Sequence, residues 1–221
     1  EKKIMLELIE MLELNGCIVT MDAYGCHSNI TNRVVEKNGD FLVGLKKNQK
    51  TMLRLMTGLF NEPGTMDRFE TTDKGHGRLE VRSCTVVAIP TSTVDSINKK
   101  VSMVSKKNPR LLWKGLNTVC RIESQRTIKG KTSNETRYYI TSLPPNAEKI
   151  LSVVRSHWHI ENKLHHVLDV TFMEDHSRVR NGHAGENFAV MRRLALNLLK
   201  TEKTSKRSVN GKRLKSGWDN D

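Results

Sequence analysis

Apolar residues in the first 60 positions recur with helical spacing in some stretches and form short continuous runs in others. Residues 2–14 have the helical spacing, and the predicted inward face comprises Ile4, Leu8, Met11 and Leu12. The runs 17–21 and 41–45 are almost wholly apolar and are bounded by Gly and Asn. Runs of this length and composition predict buried strands of a parallel or mixed sheet.

Two further helices are predicted around these strands. One covers residues 28–38, with Ser28 as a candidate N-cap and with Ile30, Val34 and Val35 facing inward. The other follows Gln49, and its predicted core face comprises Met52, Leu55, Met56 and Leu59. The alternation of strands and helices predicts an α/β fold.

The pattern changes after residue 61. Strands are predicted over residues 79–89, 113–123 and 136–142, with Gly130 and Asn134 marking a hairpin between the last two. Residues 61–142 are therefore predicted to be mostly β, as an insertion packed on the α/β part.

Helical spacing returns near the C-terminus. Helices are predicted over residues 146–170 and 185–202. The predicted inward face of the first comprises Val153, Ile160, Leu164, Val167 and Leu168, and that of the second Phe188, Met191, Leu194, Ala195 and Leu198. Residues 203–221 are predicted to be a basic tail.

Charge narrows the functional classes. The 221 residues carry a formal net charge of +13, which favours a polyanionic partner, nucleic acid first. The alternative is a basic protein with a solvated tail.

The four cysteines form no C-x-x-C pair, which argues against a zinc ribbon and fits a reducing compartment; they are Cys17, Cys26, Cys84 and Cys120. Neither a membrane segment nor a signal peptide is predicted.

Two acids are candidates for chemistry. Asp22 follows the first predicted strand, where open α/β sheets place ligands, although an Asp there also commonly caps a turn. Glu161 lies at the edge of the apolar stripe of a late helix, where a carboxylate needs a cation, a metal or good donors. Carboxylates converging from such elements form a site suited to Mg²⁺, with Mn²⁺ as a substitute, and to metal-assisted phosphoryl transfer.

Other residues offer alternatives to this pair. His157, Glu161 and His165 fall in one helical row, which suits zinc or, more commonly, a hydrogen-bonded polar seam. Asp169, Glu174 and Asp175 are lower-ranked alternatives to Glu161 as the metal-facing group.

Basic residues provide candidate phosphate contacts. Residues 74–78, Lys-Gly-His-Gly-Arg, form a glycine-flanked turn without the pattern of a P-loop. Arg78 and Arg82 share a strand face and are either DNA contacts or a solvated edge. The run 200–215, which includes Lys206 and Arg207, would add salt-dependent affinity for DNA.

Several segments together resemble the DDE transposases of bacterial insertion sequences, specifically the H-repeat-associated family. The matching segments are residues 19–27 (Val-Thr-Met-Asp-Ala-Tyr-Gly-Cys-His), 39–49, 75–82, 155–175 and 181–195. The resemblance implies a ribonuclease-H-like core with three metal-binding acids and a largely β insertion between the second and third. It assigns Asp22 as the second acid and Glu161 as the third.

The chain departs from the family pattern at several positions. The family's first acid lies on an upstream strand, and no residue before Asp22 fits it, so a truncated copy without activity of its own is expected. His27, Lys47 and His166 replace the family's usual Gln, Gly and Trp. The wider Tyr-Arg-Glu-Lys signature is also lost, with Val154, His157 and Leu168 at its Tyr, Arg and Lys positions, which leaves Lys46 and Arg155 as substitute phosphate contacts.

These expectations combine into one interpretation. Residues 1–60 form a partial ribonuclease-H-like core, 61–142 the insertion and 143–202 helices that complete the core. The function is DNA-mediated transposition by strand cleavage and transfer, with element ends and target DNA as partners, a homodimer in a synaptic complex, and a cytoplasmic, nucleoid-associated location. The alternatives are a non-catalytic DNA-binding remnant and a divalent-metal nuclease outside transposition.

Overall fold

A computed structural model describes residues 2–75, 77–104 and 112–218, except the side chains of Val104, Glu161 and Asn162. The chain forms two compact units, Glu1–His157 and Trp158–Asp221. The strands are β1 (Ile18–Met21), β2 (Asp40–Leu45), β3 (Met66–Gly75), β4 (Arg78–Ala88), β5 (Thr118–Ile128) and β6 (Lys131–Thr141). The α-helices are α1 (Lys2–Met11), α2 (Ser28–Glu36), α3 (Lys50–Gly58), α4 (Thr91–Val104), α5 (Ala147–Ile160), α6 (His166–Phe172), α7 (Ala184–Thr201) and α8 (Val209–Trp218).

The six strands form one mixed sheet in the order β1-β2-β6-β5-β4-β3. β1 and β2 are parallel, and the other neighbouring pairs are antiparallel. The predicted strands 17–21 and 41–45 are confirmed as β1 and β2. β6 pairs with β2 through the register Leu42↔Thr141 to Leu45↔Tyr138, so the strands of residues 61–142 extend the same sheet.

The core lies on both faces of this sheet. Phe41, Val43 and Leu45 of β2 pack with residues of α1–α4 on one face. On the opposite face, Leu42 packs with Ile150, Leu151 and Val154 of α5. A strand that is buried on both faces needs a continuous apolar run, which explains the composition of β2. The predicted α/β class is confirmed.

The predicted inward face of α1 is wrong. Ile4, Leu8, Met11 and Leu12 are exposed, whereas Ile9 is buried and Met5 and Leu6 pack against the core. Polar contacts accompany this burial, since Lys37 Nζ, just after α2, donates to the Ile9 carbonyl oxygen at 3.0 Å and Arg33 of α2 pairs with Glu10.

The predicted inward face of α7 is also wrong. Phe188, Met191, Leu194 and Leu198 are exposed and Ala195 is half-buried, whereas Leu196 is fully buried. The side of α7 opposite the predicted inward face makes polar contacts within the second unit. Lys200 Nζ donates to the Lys163 carbonyl oxygen at 2.6 Å, and Lys212 Nζ of α8 donates to that of Leu199 at 3.1 Å.

The apolar face predicted for the helix over residues 146–170 is only partly buried. Leu168 is fully buried, Val153, Leu164 and Val167 are half-buried, and Ile160 is 50% exposed.

Three elements were not predicted, and two predicted limits change. β3 is mostly exposed and carries charged residues along its length, so it lacks the apolar alternation that would indicate a strand. α4 and α8 were also not predicted, and α8 lies within the predicted tail.

The strand predicted from Trp113 begins at Thr118, and Asn134 lies inside β6 rather than in the hairpin turn, which is formed by Lys129 and Gly130.

The predicted cap of α2 is wrong in detail. Ser28 is the first helical residue, and the N-cap is His27, which makes no side-chain capping hydrogen bond. Among the described helices, none is long and apolar enough to cross a membrane.

Candidate functional site

Asp22 lies at the carboxyl end of β1 and is exposed. Its backbone is extended, and its side-chain Oδ1 accepts a hydrogen bond from the Tyr24 backbone N–H at 2.9 Å. The turn-capping interpretation of Asp22 is therefore confirmed. It does not compete with a ligand role, since a carboxylate has two oxygens and this cap uses one of them.

The segment after β2 holds the Asp22 turn in place. Asn48 Nδ2 donates to the Ala23 carbonyl oxygen at 2.7 Å, and Gln49 Nε2 donates to that of Cys26 at 2.8 Å. Gly44 of β2 allows the close approach, because a Cβ there would lie 3.1 Å from the Ala23 nitrogen. Sequence reasoning assigned no role to Asn48 or Gln49. Their position in the sequence could have indicated a role, because polar residues that closely follow a buried parallel strand lie at the same sheet edge as Asp22.

Lys46 lies at the same sheet edge. It directly follows β2, and β1 and β2 are parallel, so the residues after both strands meet at one end of the sheet. The Lys46 side chain is exposed. An exposed cation at the same sheet edge as an exposed carboxylate suits an anionic ligand that approaches through a bound cation.

Glu161 begins an unusual helical segment. Glu161–His165 forms a five-residue π-helix between α5 and α6. The side chain of Glu161 lies outside the described residues. π-helical turns are rare and occur frequently at functional sites, so the backbone is consistent with a special role at this position.

His157 contacts the strand that carries Asp22. Its Nδ1 lies 3.1 Å from Oγ1 of Thr20, two residues before Asp22. This contact ties the end of α5 within the first unit to β1. It gives His157 a structural partner on β1, whereas a polar seam with Glu161 and His165 stays a prediction.

The chemistry of these groups fits a hard divalent cation. Carboxylate oxygens are the ligands that Mg²⁺ prefers, and it retains several waters when it binds one or two carboxylates. No group of three His, Cys, Asp or Glu side chains that could hold a metal occurs among the described residues, from which the Glu161 side chain is left out.

Three of the predicted DNA-binding arginines belong to an ion-pair network. Asp73 Oδ2 accepts from Arg82 at 2.9 Å and from Arg155 at 3.0 Å. Glu80 Oε1 lies 2.5 Å from the second terminal nitrogen of Arg82, and Glu80 Oε2 lies 3.6 Å from Arg78 Nε. Asp73 and Glu80 face each other across β3 and β4, so Arg82 offsets the repulsion between them.

This network changes what each arginine offers to DNA. Arg82 is only 22% exposed and contacts two carboxylates, so its charge is largely neutralised. The side chains of Arg78 and Arg155 are 43% and 40% exposed. Their part in DNA contact stays a prediction, with Arg78 and Arg155 better placed than Arg82.

The two remaining basic candidates, Lys206 and Arg207, are exposed between α7 and α8. Glu202 organises this connection, with Lys212 Nζ at 3.2 Å and with the Ser205 backbone N–H at 3.1 Å. Hydrogen bonds, first from the Thr204 hydroxyl and then from Ser205 and Lys212, lower the pKa of Glu202 to about 2.

Comparison with known proteins identifies one family. Residues 1–198 match the sequence profile of the family described as "Transposase DDE domain". Two proteins of Escherichia coli (strain K12), "Putative protein YbfL" and "H repeat-associated putative transposase YhhI", are each 34% identical over 222 residues, covering 96% of this chain and 55% of their own length.

A third relative extends the comparison to another strain. "Putative transposase YncI" of Escherichia coli O157:H7 is 34% identical over 95% of this chain and 52% of its own length. The chain thus spans about half the length of the curated relatives it matches. No solved structure matches it significantly.

Proposed function

The chain belongs to the family of transposases with a DDE domain, specifically the H-repeat-associated group, and from that premise we propose that it acts in DNA transposition. In this reaction a DNA strand is cut and its 3′-hydroxyl attacks target DNA. One observation carries the proposal for this chain: the exposed carboxylate of Asp22 lies at the carboxyl end of β1 in a turn that its own Tyr24 N–H and the segment after β2 hold in place.

We assign Asp22 and Glu161 as the acids that bind the metal. Members of the DDE family generally use divalent ions, and the oxygen donors here favour Mg²⁺, with Mn²⁺ as its substitute. When bound, such an ion activates the attacking oxygen or stabilises the leaving oxygen of phosphoryl transfer. The residues themselves orient the site, as Tyr24 N–H fixes one oxygen of Asp22 and Asn48 fixes the turn.

The finer architecture is also part of the proposal. The mixed sheet and its helices support a ribonuclease-H-like core, with residues 61–142 as its insertion. The excess of positive charge supports element ends and target DNA as substrates, with a homodimer holding two ends together. Lys46, Arg78 and Arg155 remain the candidate phosphate contacts, together with Lys206 and Arg207.

Metal binding tests the assignment of the two acids. Calorimetric titration of the 221-residue chain with Mn²⁺ should show binding that weakens about tenfold or more in Asp22→Asn and in Glu161→Gln, since each change removes a charged ligand while keeping the side-chain shape. Mg²⁺ should compete for the same site. The matched control is Asp95→Asn, an exposed acid of α4, which should bind Mn²⁺ as the unaltered chain does.

The alternative ligands are tested in the same titration. Asp175→Asn should leave Mn²⁺ affinity unchanged if Glu161 is the partner of Asp22. Unchanged affinity in both Asp22→Asn and Glu161→Gln would refute the proposed site. Preference for Zn²⁺ over Mn²⁺ that depends on His157 and His165 would favour the histidine row instead.

A further inference from the structure

Two β-hairpin tips lie side by side at one end of the sheet. β3 and β4 pair as far as Gly75 and Arg78 at one tip, and the β5–β6 turn consists of Lys129 and Gly130. β4 and β5 remain paired to the last residues, Arg78 opposite Ile128, so the two turns are neighbours. A cavity of about 460 Å³ lies between them, lined by Lys74, Gly75, Gly77, Arg78, Leu79, Thr127, Lys129 and Gly130.

The hairpin tips are strongly basic. Five exposed cations belong to them: Lys74, Arg78, Arg126, Lys129 and Lys131. Arg78 pairs with Glu80, whereas the other four make no ion pair with any described residue. Gly77 and Gly130 adopt positive φ angles of 72° and 76°, and a Cβ at either would meet nothing within 4 Å. The backbone between these cations is therefore open to a close ligand.

Strand register places the tips at the same end of the sheet as Asp22. Leu45 at the end of β2 pairs with Tyr138, and β6 runs on past this point to Lys131. Asp22 follows Met21, which is level with Val43 and hence with Ile140. From the level of Asp22, β6 continues for about eight residues to the tip, which is ~27 Å at roughly 3.4 Å per residue.

We propose that the paired hairpin tips, defined by Lys74, Arg78, Arg126, Lys129 and Lys131, bind the sugar–phosphate backbone of duplex DNA. The inference rests on the proposed function, because it takes the DNA to be the duplex whose reacting strand lies at Asp22. A distance of ~27 Å corresponds to about eight base pairs at 3.4 Å each. Flexible lysines and open glycine backbone recognise phosphates rather than base edges, so this contact is independent of sequence.

Fluorescence anisotropy with a labelled duplex over a range of salt concentrations tests the site in the 221-residue chain. The tip variant combines Lys74→Ala, Lys129→Asn and Lys131→Ala, with Asn chosen because it tolerates the positive φ of Lys129. The matched control, Lys3→Ala with Lys99→Ala and Lys100→Ala, removes the same charge from α1 and α4. A third variant replaces the three tip lysines by Arg.

The tip variant should raise Kd about tenfold or more at ~0.1 M salt and reduce the salt slope by roughly 2 to 3, since each phosphate contact contributes about 0.9. The control should change the slope by less than about one. The arginine variant should bind as the unaltered chain does. Equal behaviour of the tip and control variants would overturn the hairpin site alone, with Mn²⁺ binding at Asp22 unaffected. Absence of salt-dependent DNA binding by the unaltered chain would overturn both proposals.

Discussion

Gly44→Ala perturbs the Asp22 turn with a single methyl group. The new Cβ would lie 3.1 Å from the Ala23 nitrogen and 3.5 Å from the Asp22 carbonyl carbon, so the backbone of the turn must move by a few tenths of an ångström. Overpacking of this kind costs about 1–3 kcal/mol. Replacing Gly also restricts the unfolded chain, which offsets about 0.4–1 kcal/mol. The net expectation is a loss of roughly 1 kcal/mol.

Urea denaturation measures this loss, and Gly58→Ala is the matched control. Gly58 ends α3 with helical backbone angles and has nothing within 4 Å of an added Cβ, so its substitution should stabilise by up to about 1 kcal/mol. The same Gly44 variant should bind Mn²⁺ more weakly, because the displaced turn carries Asp22. If both variants unfold at the same urea concentration, β2 does not constrain the Asp22 turn.

Three further predictions concern acidic residues. Asp73→Asn should lower the free energy of unfolding, measured in urea, by about 1 kcal/mol, because two partly exposed arginines lose their shared carboxylate. The control Asp95→Asn should not change it measurably. Equal unfolding free energies of the two variants would contradict a stabilising role for the ion-pair network. The pKa of Glu202 is lowered from its ordinary value of 4.5 to about 2, so its ionised carboxylate stabilises the folded state. This stabilisation is fully present above pH 4.5 and is lost as the pH falls through about 2. Circular dichroism should therefore show acid-induced helix loss in the unaltered chain that is weaker in Glu202→Gln, and identical profiles would refute this. The 221 residues alone, with two acids of the expected three, should not nick donor-end DNA in Mn²⁺, and nicking that Asp22→Ala abolishes would refute that expectation while supporting the site.

Periodicity predicted the elements whose burial is simple. β2 is enclosed on both faces, so its apolar run is unmistakable, and the helices α2 and α3 present regular stripes to the core. The exposed and charged strand β3 could not be predicted in this way, because the backbone pairing with β4 rather than its own side chains determines its place.

The orientation of helices was harder to predict than their existence. α1 and α7 each carry apolar residues on more than one side, and contacts with neighbouring elements decide which side is buried. Lys37 donating to Ile9 and Lys200 donating to Lys163 are long-range contacts that no local pattern contains. The same holds at the site, where Asp22 was predicted from its strand end but Asn48 and Gln49 were recognised only from their hydrogen bonds.

The edge position of β1 affects how firmly Asp22 is held. β1 is only four residues long and pairs with a single strand, β2, within the described chain. Its outward-facing amide groups should exchange hydrogen with solvent much faster than those of β2, because local opening of an edge strand breaks fewer contacts than opening of the central sheet. Asp22 thus directly follows a short edge strand, and a ligand bound at Asp22 should be detectable as slower exchange throughout β1.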